Sequence, residues 1–346
     1  MPLLLLALSL FIPGLHSVMA VRLFCGGVFM RCLVTGVAGF VGSHLAERLL
    51  QDGHEVWGID GFINCYPRFL KERNLEGPLS WNTFHFFEGN LLAMPLESLL
   101  DGVSWIFHQA AQAGVRKSWG DDFSCYVNYN VLATQRLLEA ATAAKTLRRF
   151  VYASSSSVYG DAVPFPLSES AAPHPVSPYG VTKLAAEQLC QLYHSNFLLP
   201  TVSLRYFTVY GPRQRPDMAF HRFCKAVLAH ETVHIFGDGQ QTRDFTYISD
   251  IVEANLLAAT ADSAIGSVLN IAGGSSVTMH QVLSLLQEIT GSPVPVQFLH
   301  KQSGDALHTC AAIDRAQQLL GYRSQVSLRE GLAHEFDYIA TLYAHS

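Results

Sequence analysis

Charge, paired cysteines and long apolar runs are all scarce in this chain of 346 residues. Only 15% of the residues are charged and the formal net charge is −5, so there is no basic surplus for nucleic acid binding. The seven cysteines are scattered and never spaced as C-x-x-C, which argues against a disulfide framework and against a zinc site. We therefore expect reduced thiols, a cytoplasmic location, no bound metal and no nucleic acid partner.

The first 29 residues differ from the rest of the chain. Residues 3–12 are apolar, but no Lys or Arg precedes them, and Pro13 and Gly14 end the run before it could span a bilayer. A uniform domain pattern starts only at Met30. We interpret residues 1–29 as an extension upstream of the natural start, with an uncleaved membrane anchor as the alternative.

A glycine-rich turn follows the first strand-like run, Arg31–Thr35. Gly36 permits a tight turn, Gly39 lets the backbone approach a pyrophosphate, and Gly42 lets helix and strand pack closely. A helical pattern over residues 43–52 then supplies unpaired N–H groups for phosphate oxygens. Strand, glycine turn and helix in this order predict a dinucleotide site.

Asp60 sharpens that prediction. It ends a second strand pattern, residues 55–59, close to the distance at which a carboxylate binds the adenosine ribose hydroxyls. Because an acid there repels the 2′-phosphate of NADP, we expect NAD. The predicted cofactor contacts are Gly36, Gly39, Phe40, Val41, Gly42, Asp60, Asn90, Leu91, Ala110, Ala111, Tyr179 and Lys183.

Strand and helix patterns continue to alternate. Residues 83–87, 103–108 and 149–153 read as apolar strands, separated by helical patterns at 96–100 and 123–144. This alternation predicts an α/β fold with a Rossmann-type, doubly wound parallel sheet. His108 closes one of these strands, and we assign it packing and hydrogen bonding without a catalytic role.

Tyr179 and Lys183 lie four residues apart, one helical turn, and a serine row precedes them at Ser155, Ser156 and Ser157. A tyrosine that must give up its proton near neutral pH, from an ordinary pKa of about 10, needs a cation beside it. We expect Lys183 to be that cation, Tyr179 the base, and Ser155 a hydrogen-bond partner of the same substrate hydroxyl.

With these motifs in order, the chain resembles the extended short-chain dehydrogenase/reductase family, in its NAD-dependent sugar-nucleotide epimerase and dehydratase branch, from about Met30 onward. Further stretches that resemble it include Val158-Tyr159-Gly160, Arg205-Tyr206-Phe207 and Gln241-Thr242-Arg243-Asp244-Phe245. The resemblance implies an NAD-binding domain, mainly residues 30–200, and a smaller C-terminal α/β domain, mainly residues 201–346, that holds a UDP-sugar.

The same resemblance implies particular contacts. Arg243 should contact the UDP pyrophosphate and Asp305 should lie near the nucleotide. A homodimer through a helical pair is expected, with residues 123–144 and 177–197 as the candidates. One departure concerns Asn90, which stands where relatives often carry Asp, so its amide oxygen would accept from the adenine amino group without charge.

The serine row separates the reactions of this family. Relatives that eliminate water or decarboxylate carry Asp or Glu where this chain has Ser156 and Ser157. Without those acids, the 4-keto sugar formed by oxidation can only turn and take hydride back on its other face. The resemblance therefore implies C4 epimerisation.

Residues 205–219 carry the substrate signal. Thr208 replaces the Asn that UDP-galactose 4-epimerases usually show, and the R-P-D-M-A ending resembles UDP-glucuronate 4-epimerases. Arg215 suits a C6 carboxylate, with Arg116 and Arg213 as helpers. Thr208 and Arg215 would also orient the carboxylate of the β-keto acid against loss of carbon dioxide.

Alternatives stay open at this point. The nearest is a UDP-glucose/UDP-galactose 4-epimerase, which uses the same chemistry on a neutral sugar. A UDP-glucuronate decarboxylase or a nucleotide-sugar 4,6-dehydratase is disfavoured by the missing acids. The non-enzyme alternative is an NAD-sensing regulatory module, against which the retention of Tyr179, Lys183 and Ser155 argues.

Overall fold

The computed structural model describes residues 29–161, 164–300, 302, 304 and 306–344. The N-terminal extension, apart from Phe29, and Asp305 therefore lie outside the described residues. Within the described part of the chain, every helix is too short or too polar to cross a membrane.

Twelve strands occur in the described residues. In chain order they are β1 (Arg31–Thr35), β2 (Glu55–Asp60), β3 (Phe84–Glu88), β4 (Trp105–His108), β5 (Arg149–Ser155), β6 (Thr201–Tyr206), β7 (Thr208–Tyr210), β8 (Val233–Phe236), β9 (Thr242–Tyr247), β10 (Val268–Ile271), β11 (Ser276–Thr278) and β12 (Val296–Leu299).

Eleven α-helices accompany these strands over the same described residues. They are α1 (Phe40–Gln51), α2 (Arg68–Leu79), α3 (Leu96–Leu99), α4 (Phe123–Tyr126), α5 (Ala133–Thr142), α6 (Pro178–Phe197), α7 (Ala219–Leu228), α8 (Ile248–Thr260), α9 (Met279–Thr290), α10 (Asp314–Leu320) and α11 (Leu328–Tyr343). A π-helical segment, Val127–Leu132, joins α4 directly to α5.

Seven strands form one parallel sheet in the order β10-β6-β5-β4-β1-β2-β3. The order reverses between β1 and β4, the point at which ligands bind in open α/β sheets. The predicted fold class is confirmed.

Both faces of the sheet are buried. Along β1, Cys32 and Val34 pack into one apolar cluster while Leu33 packs into a second cluster on the opposite face. Parallel sheets with both faces covered have apolar side chains at successive positions, and β1 follows that pattern. The two cores hold the strand ends, and the loops that leave them, in fixed positions.

The C-terminal half does not form a separate block. Strands β6 and β10 belong to the large sheet, whereas β7, β9 and β11 form a three-stranded sheet and β8 pairs with β12. The division into residues 30–200 and 201–346 stays a prediction, with elements of the second segment completing the first.

Local sequence explains why α6 begins where it does. The Ser177 hydroxyl accepts from the backbone N–H of Gly180 at 3.1 Å, and Pro178 occupies the first helical position, where its missing N–H costs nothing. The residue that follows the helix, Leu198, adopts the left-handed conformation, with φ of 58°. This N-terminal cap fixes the direction in which the first turn of α6 projects its side chains.

The strands and helices expected from the sequence lie close to the observed ranges, but the sequence patterns did not predict α2. It contains Gly77 and Pro78, and its apolar residues do not form a clear stripe, so the sequence offers little helical signal there. Lys71 and Asn74 are its anchors: Lys71 donates to the carbonyl of Ile63 at 2.8 Å, and Asn74 donates to that of Ala38 at 3.0 Å. Tertiary contacts decide this helix.

Candidate active site

A cleft of about 690 Å³ opens at the carboxyl ends of the central strands. It brings together most of the predicted site residues. Those that line it are Gly36, Gly39, Phe40, Val41, Gly42, Asp60, Asn90, Leu91, Ala110, Ala111, Arg116, Ser155, Ser156, Ser157, Tyr179, Lys183, Thr208, Arg215 and Arg243.

The glycine turn is shaped by backbone contact. Gly36 has φ of +69°, and a Cβ added there would lie 2.8 Å from the backbone of Ala110. A Cβ on Gly42 would lie 2.2 Å from the carbonyl oxygen of Gly36. Gly39 caps α1 without any side-chain hydrogen bond to its first N–H groups. The turn thus leaves backbone N–H groups at the start of α1 free of side-chain caps, and its contact with a pyrophosphate stays a prediction.

Asp60 lies at the end of β2, buried in the cleft wall. Its carboxylate accepts from the N–H of Phe62 at 2.8 Å and from the N–H of Ala38 at 3.1 Å. Burial raises its pKa, while the nearby Lys71 ammonium and the two amides act in the opposite direction. The carboxylate is therefore held rigidly at the edge of the glycine turn, where a ribose would lie.

Asn90 is less available than expected. Its amide oxygen accepts from the N–H of Leu92 at 2.9 Å, which closes a local turn. An adenine amino group would have to share that oxygen.

Tyr179 lies in the first turn of α6, facing the end of β5. The Ser155 hydroxyl lies near enough to the phenol to lower its pKa. Burial raises the pKa of Tyr179, and the Ser155 hydroxyl and the positive charge of Arg215 oppose that rise. Ser155 also accepts from the N–H of Ser157 at 3.1 Å, which fixes the rotamer of its side chain.

Lys183 is buried, and its ammonium is bound by groups of β5. Its Nζ donates to the carbonyl of Ala153 and lies 4.5 Å from the centre of the Tyr152 ring. Burial lowers its pKa to about 7. Arg215 is a second cation close to Tyr179, and the role expected of Lys183 stays a prediction.

A buried ion pair stands behind the serine row. Glu187 accepts from Nη2 of Arg205 at 2.6 Å and from Nε at 2.9 Å, and the Ser154 hydroxyl donates to it at 2.6 Å. Nη1 of Arg205 donates to the Tyr159 hydroxyl at 2.7 Å, which in turn donates to Asn270. The network locks β5 to α6 and β6, and so fixes Ser155 relative to Tyr179.

Arg215 forms a second ion pair, this time within the cleft. Its Nε and Nη2 donate to the two carboxylate oxygens of Asp217 at 3.0 and 2.7 Å. A Cβ added at Gly114 would lie 3.8 Å from Nη2 and 3.6 Å from the Tyr126 hydroxyl. The Tyr126 ring in turn meets the Tyr179 ring edge-on, with centroids 6.2 Å apart.

Arg213, expected as a helper for the substrate, does not reach the cleft. It adopts φ of 69° and donates to Glu47 of α1 at 2.8 Å. The ring of His44 bonds the preceding carbonyl, that of Pro212, at 2.8 Å. Because α1 holds the loop from both positions, the Arg213 side chain is turned toward the helix.

Two further arginines, Arg243 and Arg116, line the cleft. Nη1 of Arg243 donates to the carbonyls of Thr242 and Leu307 at 2.8 and 3.0 Å, which fixes the guanidinium plane. Arg116 lies over the Phe236 ring, 4.2 Å from its centre. Both arrangements suit phosphate recognition by a cation held in place.

Sequence reasoning missed several lining residues. Asp217, Arg222, Phe236 and Tyr66 all line the cleft. The R-P-D-M-A motif contained the signal for Asp217, since an acid two residues after an arginine can pair with it. Nothing local marked Tyr66, whose hydroxyl is buried without a hydrogen-bond partner among the described residues.

Comparison with known proteins matches this geometry. Residues 32–272 match the model of the NAD dependent epimerase/dehydratase family. The chain belongs to that family. The family prediction is confirmed, and so is NAD as the cofactor, which the solved relatives contain.

Individual members of the family align over nearly their whole length. A Bacillus subtilis protein named uncharacterised UDP-glucose epimerase YtcB is 49% identical over 91% of this chain and 99% of its own. A UDP-glucuronate 4-epimerase of Thermodesulfobacterium geofontis is 35% identical over 87% of this chain and 93% of its own.

A solved structure extends the comparison to geometry. UDP-glucuronic acid 4-epimerase from Bacillus cereus, in complex with UDP-glucuronic acid and NAD, is 46% identical with a TM-score of 0.88. The alignment covers 91% of this chain and all of that one. The fold is thus that of the epimerase family.

Proposed function

We propose that this protein is an NAD-dependent isomerase that inverts C4 of a UDP-sugar and interconverts UDP-glucuronate and UDP-galacturonate through a 4-keto sugar. The observation that carries the proposal is that Ser155, Tyr179 and Arg215 line one cleft, with serines at the two positions after Ser155.

The turn at residues 36–42 would hold the pyrophosphate of NAD, and Asp60 the adenosine ribose. When bound, NAD supplies a hydride acceptor and donor. Tyr179 takes the proton of the C4 hydroxyl as hydride leaves the same carbon, and Ser155 holds that hydroxyl in line. The positive charge of Arg215 favours the tyrosinate that this step requires.

The residues beside the pair limit the outcome. Ser156 and Ser157 line the cleft next to Ser155, where elimination of water would need a carboxylic acid and a carboxylate. A serine hydroxyl cannot serve as the acid or the base of that elimination. The 4-keto sugar therefore turns in the cleft and is reduced on its other face.

An acidic sugar suits the other end of the site. Thr208 begins β7 and lines the cleft with Arg215, so a hydroxyl and a guanidinium are available to a C6 carboxylate. Holding the carboxylate in the plane of the C4 ketone disfavours decarboxylation, since the breaking bond must overlap the carbonyl π system. Arg243 and Arg116 are the proposed partners of the pyrophosphate.

Purified protein incubated with UDP-glucuronate, without added NAD, tests the proposal. We expect UDP-galacturonate to form, and the Tyr179→Phe variant to be at least about 10²-fold slower, as for loss of a general base. Product analysis must show no xylose nucleotide and no carbon dioxide. Absence of UDP-galacturonate with full NAD occupancy would refute the function.

A neutral sugar is the second candidate, because the 49% identical Bacillus subtilis relative is named a UDP-glucose epimerase. The same assay with UDP-glucose decides between the two. A higher kcat/KM for UDP-glucose than for UDP-glucuronate would replace the acidic substrate with the neutral one and leave the chemistry unchanged.

We also propose a homodimer in the cytoplasm. Large apolar side chains are exposed along residues 123–142 and α6; they are Phe123, Val127, Leu132, Val181, Leu192 and Phe197. Two antiparallel copies of this helical pair would cover them. Sedimentation should give a dimer that Leu192→Glu dissociates, and a monomeric wild type at micromolar concentration would contradict the proposal.

The six cysteines within the described residues are free thiols, which suits a reducing compartment.

A further inference from the structure

The guanidinium proposed for the substrate carboxylate already has a carboxylate partner from its own chain. Arg215 and Asp217 are joined by two parallel hydrogen bonds, at 3.0 and 2.7 Å, and both line the cleft. The Arg215 side chain is one-fifth exposed and that of Asp217 about half exposed. The pair is therefore part of the wall that a sugar would touch.

The geometry of the pair decides how a second carboxylate can bind. A guanidinium has five N–H groups, and Asp217 takes the one on Nε and one on Nη2. The remaining donors point along the end-on edge formed by Nη1 and Nη2. The Nη2 end of that edge lies near Gly114, 3.8 Å from an added Cβ, and Gly114 lies beside Tyr126, whose ring meets that of Tyr179. A sugar carboxylate must therefore bind end-on, to a cation whose charge Asp217 already balances.

We propose that Asp217 is a positioning residue that directs and weakens the hold of Arg215 on the carboxylate of an acidic sugar. The inference rests on the proposed function and extends it to a residue that sets how strongly the substrate is held. Asp217 acts only through Arg215 and touches no reacting atom.

Epimerisation gives this weakening a purpose. The ketone must present both faces to the same point of the cleft, so the ring has to turn between the two hydride transfers. A carboxylate bound to an unpaired guanidinium would resist that movement, because attraction between unit charges is strong in a partly enclosed site. Sharing the cation with Asp217 lowers the attraction and favours turnover over ground-state binding.

The competing explanation is purely structural. The N–H of Met218 donates to the carbonyl of Arg215 at 3.0 Å, and α7 begins at the next residue, so Asp217 could merely brace this turn. Loss of a brace would weaken binding of every UDP-sugar equally. Loss of the proposed role would strengthen binding of the acidic sugar alone.

Binding without turnover separates the two explanations. In the Tyr179→Phe background, calorimetry compares the Kd values of UDP-glucuronate and UDP-glucose with and without Asp217→Asn. We expect Kd for UDP-glucuronate to fall roughly three- to fivefold, the size of a partly exposed charge interaction, and Kd for UDP-glucose to change less than about twofold. Asp217→Glu should restore the original ratio of the two Kd values.

A matched control exists on α1. Asp52 pairs with Nε of Arg48 at 2.9 Å, and both side chains are about 40% exposed, away from the cleft. Asp52→Asn should leave both Kd values unchanged. Weaker binding of UDP-glucuronate in Asp217→Asn, equal changes for both sugars, or no change would each overturn the inference.

Turnover supplies the second measurement. In protein that retains Tyr179, Asp217→Asn should lower kcat for UDP-glucuronate and raise the fraction of enzyme holding reduced cofactor in the steady state, read from its absorbance. An unchanged kcat overturns the role in turning. Failure of the wild type to convert UDP-glucuronate refutes the proposed function instead, and the binding comparison still reports on Asp217 alone.

Discussion

The cleft has two walls that are built in different ways. The glycine wall, residues 36–42 with Asp60, is shaped by backbone atoms in contact. The arginine wall, residues 205–217, is held by ion pairs in which Arg205 and Arg213, behind the cleft, and Arg215, within it, each bind a different acid.

The difference teaches where each wall is sensitive. A Cβ added at Gly42 or Gly36 would lie only 2.2 or 2.8 Å from backbone atoms, so the glycine wall should fail completely when one of these glycines gains a side chain. Ion pairs can be removed one at a time, with costs that depend on their burial. The following changes test this contrast, beginning with the largest expected effect.

Gly36→Ala should abolish NAD retention and lower stability by more than the strain of its φ, about 1 to 2 kcal/mol. Its Cβ would strike the backbone of Ala110. Gly291→Ala is the matched control, because Gly291 has φ of +64° but no described atom within 4 Å of an added Cβ. Equal losses in the two variants would show that strain, and not the backbone contact, shapes the glycine wall. The cofactor content after purification measures NAD retention, and urea unfolding measures stability.

Glu187→Gln should cost about 3 to 5 kcal/mol, because it leaves the Arg205 charge buried without its acid. The comparison is Glu72→Gln, which removes one partner of Arg68 at the surface and should cost less than about 1 kcal/mol. Chemical denaturation of both variants gives the difference. A small loss for Glu187→Gln would mean that water reaches this pair.

His108 should make the protein sensitive to acid. Burial lowers its pKa to about 3, so between the ordinary 6.5 and that value the unfolded chain binds a proton that the folded chain does not. Stability should therefore fall as pH drops below about 6.5, by up to about 1.4 kcal/mol per pH unit from this residue.

The hydrogen bonds around His108 explain why the ring stays neutral. The Thr134 hydroxyl donates to the carbonyl of Asn130 and therefore accepts from Nε2 of His108, which leaves Nδ1 to accept from the Thr35 hydroxyl. Protonation at Nδ1 would break the last of these bonds. His108→Gln should flatten the pH dependence of unfolding below neutrality; an unchanged slope would assign acid sensitivity to other groups.

Arg213→Ala should have the smallest effect on the site. The side chain pairs with Glu47 outside the cleft, so KM for UDP-sugars should change less than about twofold. Steady-state kinetics test this. A tenfold rise in KM would show that Arg213 contacts the substrate, as its place in the motif suggested.

The two walls also differ in how far sequence could predict them. The roles of Gly36, Gly42 and Asp60 can be predicted because each depends on local structure. Gly36 has a positive φ, Gly42 lets its helix pack close to the turn, and Asp60 ends a strand. The parallel sheet followed from the same local alternation.

The arginine wall depends on partners distant along the chain. Arg213 pairs with Glu47 and Arg205 with Glu187, and no spacing reveals either pairing. The hydrogen bond of Lys183 was equally hidden, because it joins α6 to the Ala153 carbonyl of β5. The catalytic and binding roles of these residues remain predictions that the variants above can test.

The π-helical segment Val127–Leu132 sets the register of everything after it. Asn130 accepts from the N–H of Gln112 at 2.7 Å and donates to its carbonyl and to the Thr182 hydroxyl, both at 3.0 Å. Further on, Leu137 faces the core. Deleting one residue here would rotate the following helix by about 100°, so Asn130 and Leu137 could not both keep their neighbours. The helix thus tolerates substitution more readily than any change in its length.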